Sequence, residues 1–390
     1  MTPTRLYTPA FAALFIANMS LVASFAAFFL FPLFIIDHGG SDADIGIIMG
    51  IFALASALCR PWIADMIDRI GRKRSYTVGS VIMTLMPLLH LFLQGEITAY
   101  YLPLLLLRIV HGIGLAICFT AVFTFIVDLI PVNRLNEGIG IFGTSGLIGL
   151  ATGPLIAEPV MLHFGYGAYF LTSSLLACVA LILHLPVADR HPEGASSDAL
   201  NPSFFALLRT RKLLVAGGLS LLFGIALAAT GNFIAPFAQT RELNYISIYF
   251  FAYSAAAVTT RIVLGRLADR VGENAIIPWG LAIAAAGLLL VPLIHSNLLL
   301  LIIGCLFGVG HGLLFPALNA MAIRGEPYAL RGKVTGIFTG GIDSGAFIGA
   351  LILGMIGDVA GYTWLFISAA ALLSSGHLLL RYRLPPEVPQ

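Results

Sequence analysis

Charge is what this sequence has least of. Only 10% of its 390 residues are Asp, Glu, Lys or Arg, against about 25% in soluble globular domains. A water-soluble body of this length is excluded, because 59% of the residues are hydrophobic and the mean hydropathy is +0.96. The four cysteines, Cys59, Cys118, Cys178 and Cys305, stand far apart inside apolar runs, without CxxC spacing or a Cys/His cluster. They read as small buried residues, not as a disulfide framework or a metal centre. A net charge of +2 and the lack of a Lys/Arg-rich arm exclude a nucleic-acid partner. HExxH, GxSxG and P-loop patterns are missing too, which removes the usual marks of an intramembrane enzyme. Gly138-x-Gly140-x-x-Gly143 has no strand before it, so its glycines belong to helix packing, not to a dinucleotide site.

What the sequence has instead is long apolar runs. A run of roughly 20 such residues crosses a hydrocarbon core of about 30 Å as a helix, because only a helix satisfies all its backbone groups within one segment. Arg5 precedes an apolar run from Phe11 to Ile36, too long for a signal-peptide core, which reads as the first span. The runs predict spans near 11–36, 43–64, 74–93, 101–127, 138–161 and 167–187, then 212–238, 245–268, 275–294, 298–322, 334–356 and 363–381. The expectation is an all-α membrane protein of twelve transmembrane helices in two pseudo-symmetric six-helix bundles, 1–187 and 212–390. Between them 188–211 reads as a linker, polar from Ala188 to Asn201, with Phe204 to Lys212 as either an amphipathic surface helix or a plain approach to the next span.

Lys and Arg favour the cytoplasmic side of short loops. With both termini cytoplasmic, that side receives 17 of the 21 basic residues, and only Arg241 falls in an outer loop. Arg60, Arg108 and Arg261 remain, all inside predicted spans.

The two halves repeat each other. Arg60-x-x-x-Ala64-x-x-x-Asp68-Arg69-x-Gly71-Arg72-Lys73 matches Arg261-x-x-x-Gly265-x-x-x-Asp269-Arg270-x-Gly272 at an offset of 201 residues. His111-Gly112 recurs as His311-Gly312, and Gly140-Ile141-Phe142 as Gly336-Ile337-Phe338. Parallel repeats of this kind place a substrate site at their interface, near the midplane, with access that alternates as the halves rock. These residues closely resemble the major facilitator superfamily over essentially the whole chain. Its loop between helices two and three carries G-x-x-x-D-R-x-G-R-R, here with Ala64 in place of the first glycine. The resemblance implies a cytoplasmic gate at Asp68, Arg72, Asp128 and Asp269, in which Arg72 can pair with Asp128. Arg108-x-x-His111-Gly112 stands where the family has R-x-x-Q-G. Gly149-x-x-x-Gly153-Pro154 resembles the motif of proton-driven exporters, although Ala157 and Glu158 replace its usual following glycines.

Charges at depth cost roughly 2.5–3.5 kcal/mol each on insertion scales, so they mark cavities or partners. Arg108 is expected to meet Glu158, as a structural pair or in proton coupling. Asp343, among glycines in the eleventh span, is expected to meet Arg261, so that its protonation links to substrate movement. Arg60 and Arg261 lie roughly 12 Å deeper than Asp68 and Asp269 and either clamp an anionic group or are pinned within their halves. In the monocarboxylate branch an arginine at the place of Arg261 holds the substrate, but the aspartate expected four residues earlier is Ala257 here. His111 and His311 either titrate or hydrogen-bond between neighbouring helices. Asn18, Asn232, Tyr253 and Asn319, with Tyr249, supply polar groups for a small-molecule site or bridge helices. The resemblance to the efflux-permease branch implies proton-coupled export across a bacterial inner membrane by a monomer, with no cofactor beyond the proton gradient. Symport of a small organic anion such as a monocarboxylate is the alternative.

Overall fold

The computed structural model describes residues 6–131, 134–188, 207, 209–327 and 330–381, without the side chains of 61, 64, 68, 135, 136, 265–270, 331 and 332. Among the described residues there is no strand, and ten helices are long and apolar enough to cross a bilayer. Two of the ten, Leu135–His184 and Arg331–Arg381, each contain one non-helical glycine, Gly165 (φ 78°, ψ −177°) and Gly361 (φ 79°, ψ 171°). Positive φ carries no Cβ penalty at glycine, so the chain turns back there without a loop and each long helix is two spans. The described residues therefore hold twelve spans, in the places the apolar runs predict.

We number them α1 (Pro9–Asp37), α2 (Asp42–Ile70), α3 (Arg72–Leu89), α4 (Tyr101–Val127), α5 (135–164) and α6 (166–184) in the first half. The second half holds α7 (Arg211–Thr240), α8 (Ser247–Val271), α9 (Glu273–Leu290), α10 (Asn297–Ile323), α11 (331–360) and α12 (362–381). The interval 189–206, which holds most of the expected linker, lies outside the described residues. The side where loop Lys and Arg gather is called the basic side, and the other the distal side.

Helix ends follow local chemistry. The Thr8 hydroxyl accepts the Phe11 N–H at 3.2 Å with Pro9 opening α1, and Ser41 and Asp44 close a capping box on α2. Such caps contribute about 1 kcal/mol each. Gly71 (φ 91°) and Gly272 (φ 79°), related by the repeat, separate α2 from α3 and α8 from α9.

Small residues set how closely helices approach. Gly149 and Gly153 of α5 lie so close to Met19, Val22 and Ala23 of α1 that a Cβ at either would overlap backbone. Gly345 and Gly349 of α11 meet Leu221 and Ile225 of α7 in the same way. Each half thus seats its first helix on its fifth. The apolar core divides unevenly. One cluster, including Leu14, Phe52, Tyr76, Phe125 and Phe142, belongs to the basic side of the first half alone. The other joins Phe31, Ile45, Met161 and Tyr169 from distal parts of the first half to Phe223, Phe250, Leu281 and Phe366 of the second. The halves therefore share one core on the distal side.

Candidate functional site between the halves

The two halves meet where α2 lies along α11 and α5 lies against α8. Near the distal end of the first pair, Gly46 packs on Ala350, and Gly354 and Gly357 pack on Asp42. There the Asp358 carboxylate accepts the Asp42 N–H at 2.8 Å, and the Tyr362 hydroxyl donates to Asp42 Oδ1 at 2.6 Å. In the second pair the Glu158 carboxylate accepts the N–H groups of Ile246 and Ser247 at 2.6 and 2.8 Å. Glu158 and Asp358 are 200 residues apart in sequence, and each caps the opening helix turn of the opposite half, where unpaired N–H groups and the helix dipole favour an anion. Two related carboxylates thus fasten the distal side.

Further along α2 and α11, Arg60 reaches Asp343. Its Nε and Nη2 both donate to Asp343 Oδ2, at 2.8 and 2.5 Å, and the Ser56 hydroxyl lies 3.5 Å from the same oxygen. Each residue lies 18 positions from the distal end of its helix, Asp42 or Gly361, or about 27 Å at 1.5 Å per residue. The pair bridges the halves just to the basic side of the middle of α2. Side-chain exposures of 26% and 22% keep it within reach of water.

This overturns two expected pairings. Asp343 meets Arg60, not Arg261, because α11 runs beside α2 while α8 runs beside α5 and α10. Glu158 does not meet Arg108, because the face of α5 that carries it looks across at α8. Arg108, 1% exposed, has no carboxylate partner among the described residues. Its guanidinium sits 5.2, 5.4 and 4.4 Å from the ring centroids of Phe28, Phe31 and Phe52. It also lies 3.4 Å from the Ile48 carbonyl, the Met49 sulfur and His111 Nδ1. A planar cation is stabilised by aromatic faces, and more so away from water.

The other expected residues divide. Asn18 donates to the Ser145 hydroxyl at 2.7 Å, so it ties α1 to α5. His311 shares a 2.5 Å hydrogen bond with the Tyr253 hydroxyl, whereas His111 lies against Phe28 and Arg108. The repeat thus preserves the two histidines but not their surroundings. Arg261 is stacked 5.2 Å from the Phe315 centroid, and its Nε and Asn319 Oδ1 find no hydrogen-bond partner among the described residues. Asn232 is buried on α7.

On the basic side Arg72 makes an ion pair with Asp128 and also donates to the Thr124 carbonyl at 3.2 Å. The side chains of Asp68 and Asp269 lie outside the described residues. The second half carries a counterpart with its polarity reversed. Glu273, opening α9 as Arg72 opens α3, pairs with Arg324 after α10 at 2.9 Å. Lys212 adds a bridge to Glu326 at 2.8 Å. Sequence reasoning missed Glu273, although the offset of 201 leads to it from Arg72. It also missed Asp358, which an offset of 200 ties to Glu158.

Twelve spans in two repeated halves, with an ion pair bridging them at depth, define a secondary transporter. The chain belongs to the Major Facilitator Superfamily, which matches residues 13–321 and again 219–390. It is similar to the multidrug resistance protein MdtG of Rahnella sp., 27% identical over 92% of this chain and 88% of that protein. It is likewise similar to the staphylopine export protein of Staphylococcus aureus, 20% identical over 86% of each. A crystal structure of a point mutant of the nucleoside transporter NupG superposes with a TM-score of 0.79 at 12% identity, covering 96% of this chain and 100% of that one.

Proposed function

We propose that the protein exports a small molecule across a bacterial inner membrane in exchange for protons, with Asp343 as the proton-carrying group. The observation that carries this reading is the Arg60–Asp343 bridge between α2 and α11. Removing one partner of a buried ion pair costs about 3–5 kcal/mol, and an exposed pair contributes about 0–1 kcal/mol; this partly exposed bridge falls between. A passenger entering from the basic side displaces Arg60 from Asp343 and loosens the halves at that level, and rocking then opens the distal side, where Glu158 and Asp358 release the helices they cap. A proton taken up by Asp343 from the distal side keeps the bridge broken while the emptied site returns to the basic side, and loss of that proton there restores the Arg60–Asp343 pair. The basic side faces the cytoplasm, in keeping with the distribution of Lys and Arg. The passenger crosses unaltered, the proton gradient is the sole energy source, no cofactor takes part, and the monomer is the working unit.

Export is supported by the roles named for two relatives, multidrug resistance and staphylopine export. The Gly149–Gly153 motif lends direction little weight, because Gly345 and Gly349 seat a helix in the same way in the other half. Symport of an organic anion is the second reading, and the Nε of Arg261, without a hydrogen-bond partner among the described residues, favours it.

The test is flux in proteoliposomes with a luminal pH dye, using cationic dyes and small carboxylates as passengers. Wild type is expected to move cationic dye against proton flow, and Asp343→Asn to bind dye but lose the gradient-driven component. Undiminished gradient-driven flux in Asp343→Asn would rule out the carrier role. Carboxylate moving together with protons, and lost in Arg261→Ala, would replace export by the second reading.

A further inference from the structure

Helix α1 is not continuous. A 3-10 turn at Phe28–Leu30 interrupts it, and Pro32 follows. Proline has no N–H to offer the carbonyl four residues back, and its ring crowds that carbonyl; here that residue is Phe28. The Phe31 N–H bonds Phe28 instead of Ala27. The Ala27 carbonyl at the start of this turn also accepts the hydroxyl of Tyr169 on α6 at 3.0 Å.

The break sends neighbouring rings to opposite places. Phe28 faces into its own half, against Arg108 at 5.2 Å, His111 at 4.8 Å and His90 at 5.5 Å between centroids. Phe29 faces the other half, stacked on Phe250 of α8 at 5.1 Å and reaching Gly231 of α7. Phe250 lies one turn into α8, the helix whose first N–H groups Glu158 holds. A short chain of contacts therefore runs from Arg108 through Phe28 and Phe29 to the part of α8 that must move when the distal side opens.

We infer that the turn at Phe28–Leu30 is the joint through which α1 follows this opening, and that Arg108 and Tyr169 are positioning residues that hold it in the distally closed form. This goes beyond the proposed proton exchange, and gives Arg108 a mechanical role acting through Phe28 in place of proton coupling. Mid-helix 3-10 segments often mark such hinges. The turn has two seats to leave, one hydrogen bond from Tyr169 and one set of aromatic faces on Arg108, so small changes there bias the closed and open forms.

The experiment is a spin-label distance distribution between Phe164, at the distal end of α5, and Tyr245, just before α8, exposed at 76% and 57%. Tyr169→Phe keeps the ring and removes the bond, so the distally open population is expected to rise about fivefold, the worth of one net hydrogen bond. Pro32→Ala restores a regular turn and is expected to lower that population while raising Tm. Phe250→Leu, which keeps the sequence of α1 and removes the ring stacked on Phe29, is expected to shift the distribution as Tyr169→Phe does. Unchanged distributions in Tyr169→Phe and Phe250→Leu, both folded by Tm, overturn the inference. Asp343→Asn tests the proton carrier separately, since it touches none of these contacts.

Discussion

Glu158 shows how far one side chain can stand from the partner its depth suggests. By depth alone it belongs with Arg108. In the fold it spans the halves and receives two backbone N–H groups of α8, while Arg108 is satisfied by three phenyl faces, a carbonyl and a sulfur. Hydrogen bonds to a charged acceptor contribute about 1.5–3 kcal/mol. Glu158→Ala is therefore expected to destabilise the distally closed form by an amount in that range, and Glu158→Gln, which keeps one acceptor, by less. Reaction of a cysteine at Ser247, 4% exposed in the distally closed form, with an impermeant maleimide, in a background without native cysteines, reads the difference. Equal reaction in Ala, Gln and wild type would remove Glu158 from the distal closure.

Among the helices, the length of apolar runs alone locates the twelve spans, because a bilayer leaves little freedom over how long an apolar helix must be. Three things escaped that reading. The length of apolar runs does not show that α5 joins α6 and α11 joins α12 through one glycine each, since Gly165 and Gly361 look like the glycines that pack helices. Pro32 signals a break in α1 but not which ring goes where. Partnership between deep charges depends on which helices adjoin across the halves; the repeat aligns Arg60 with Arg261 yet says nothing about which one α11 passes. The repeat does explain Gly149 and Gly153, once Gly345 and Gly349 are set beside them. Gly153→Val and Gly349→Val are each expected to cost about 1–3 kcal/mol through overpacking, seen as a lower Tm in detergent. A loss of transport in Gly153→Val without any change in Tm would mean that the motif does more than seat α1.

At the scale of the whole molecule, the basic ends of the two halves are pinned by pairs of opposite polarity, Arg72 with Asp128 and Glu273 with Arg324. Arg324 is 65% exposed, whereas Arg72 and Asp128 are 22% and 11% exposed. Double-mutant cycles are expected to give about 0.2–1 kcal/mol for the exposed pair and more for the first-half pair. A coupling of zero in the first half would contradict its burial. The reversal also bears on how the chain comes together during synthesis. Two halves alike enough to share packing could trade helices while inserting, α3 settling beside α10 or α9 beside α4. Such a swap sets Arg72 against Arg324, or Glu273 against Asp128, so each mistaken partnership brings like charges face to face and is turned away before the bundles close.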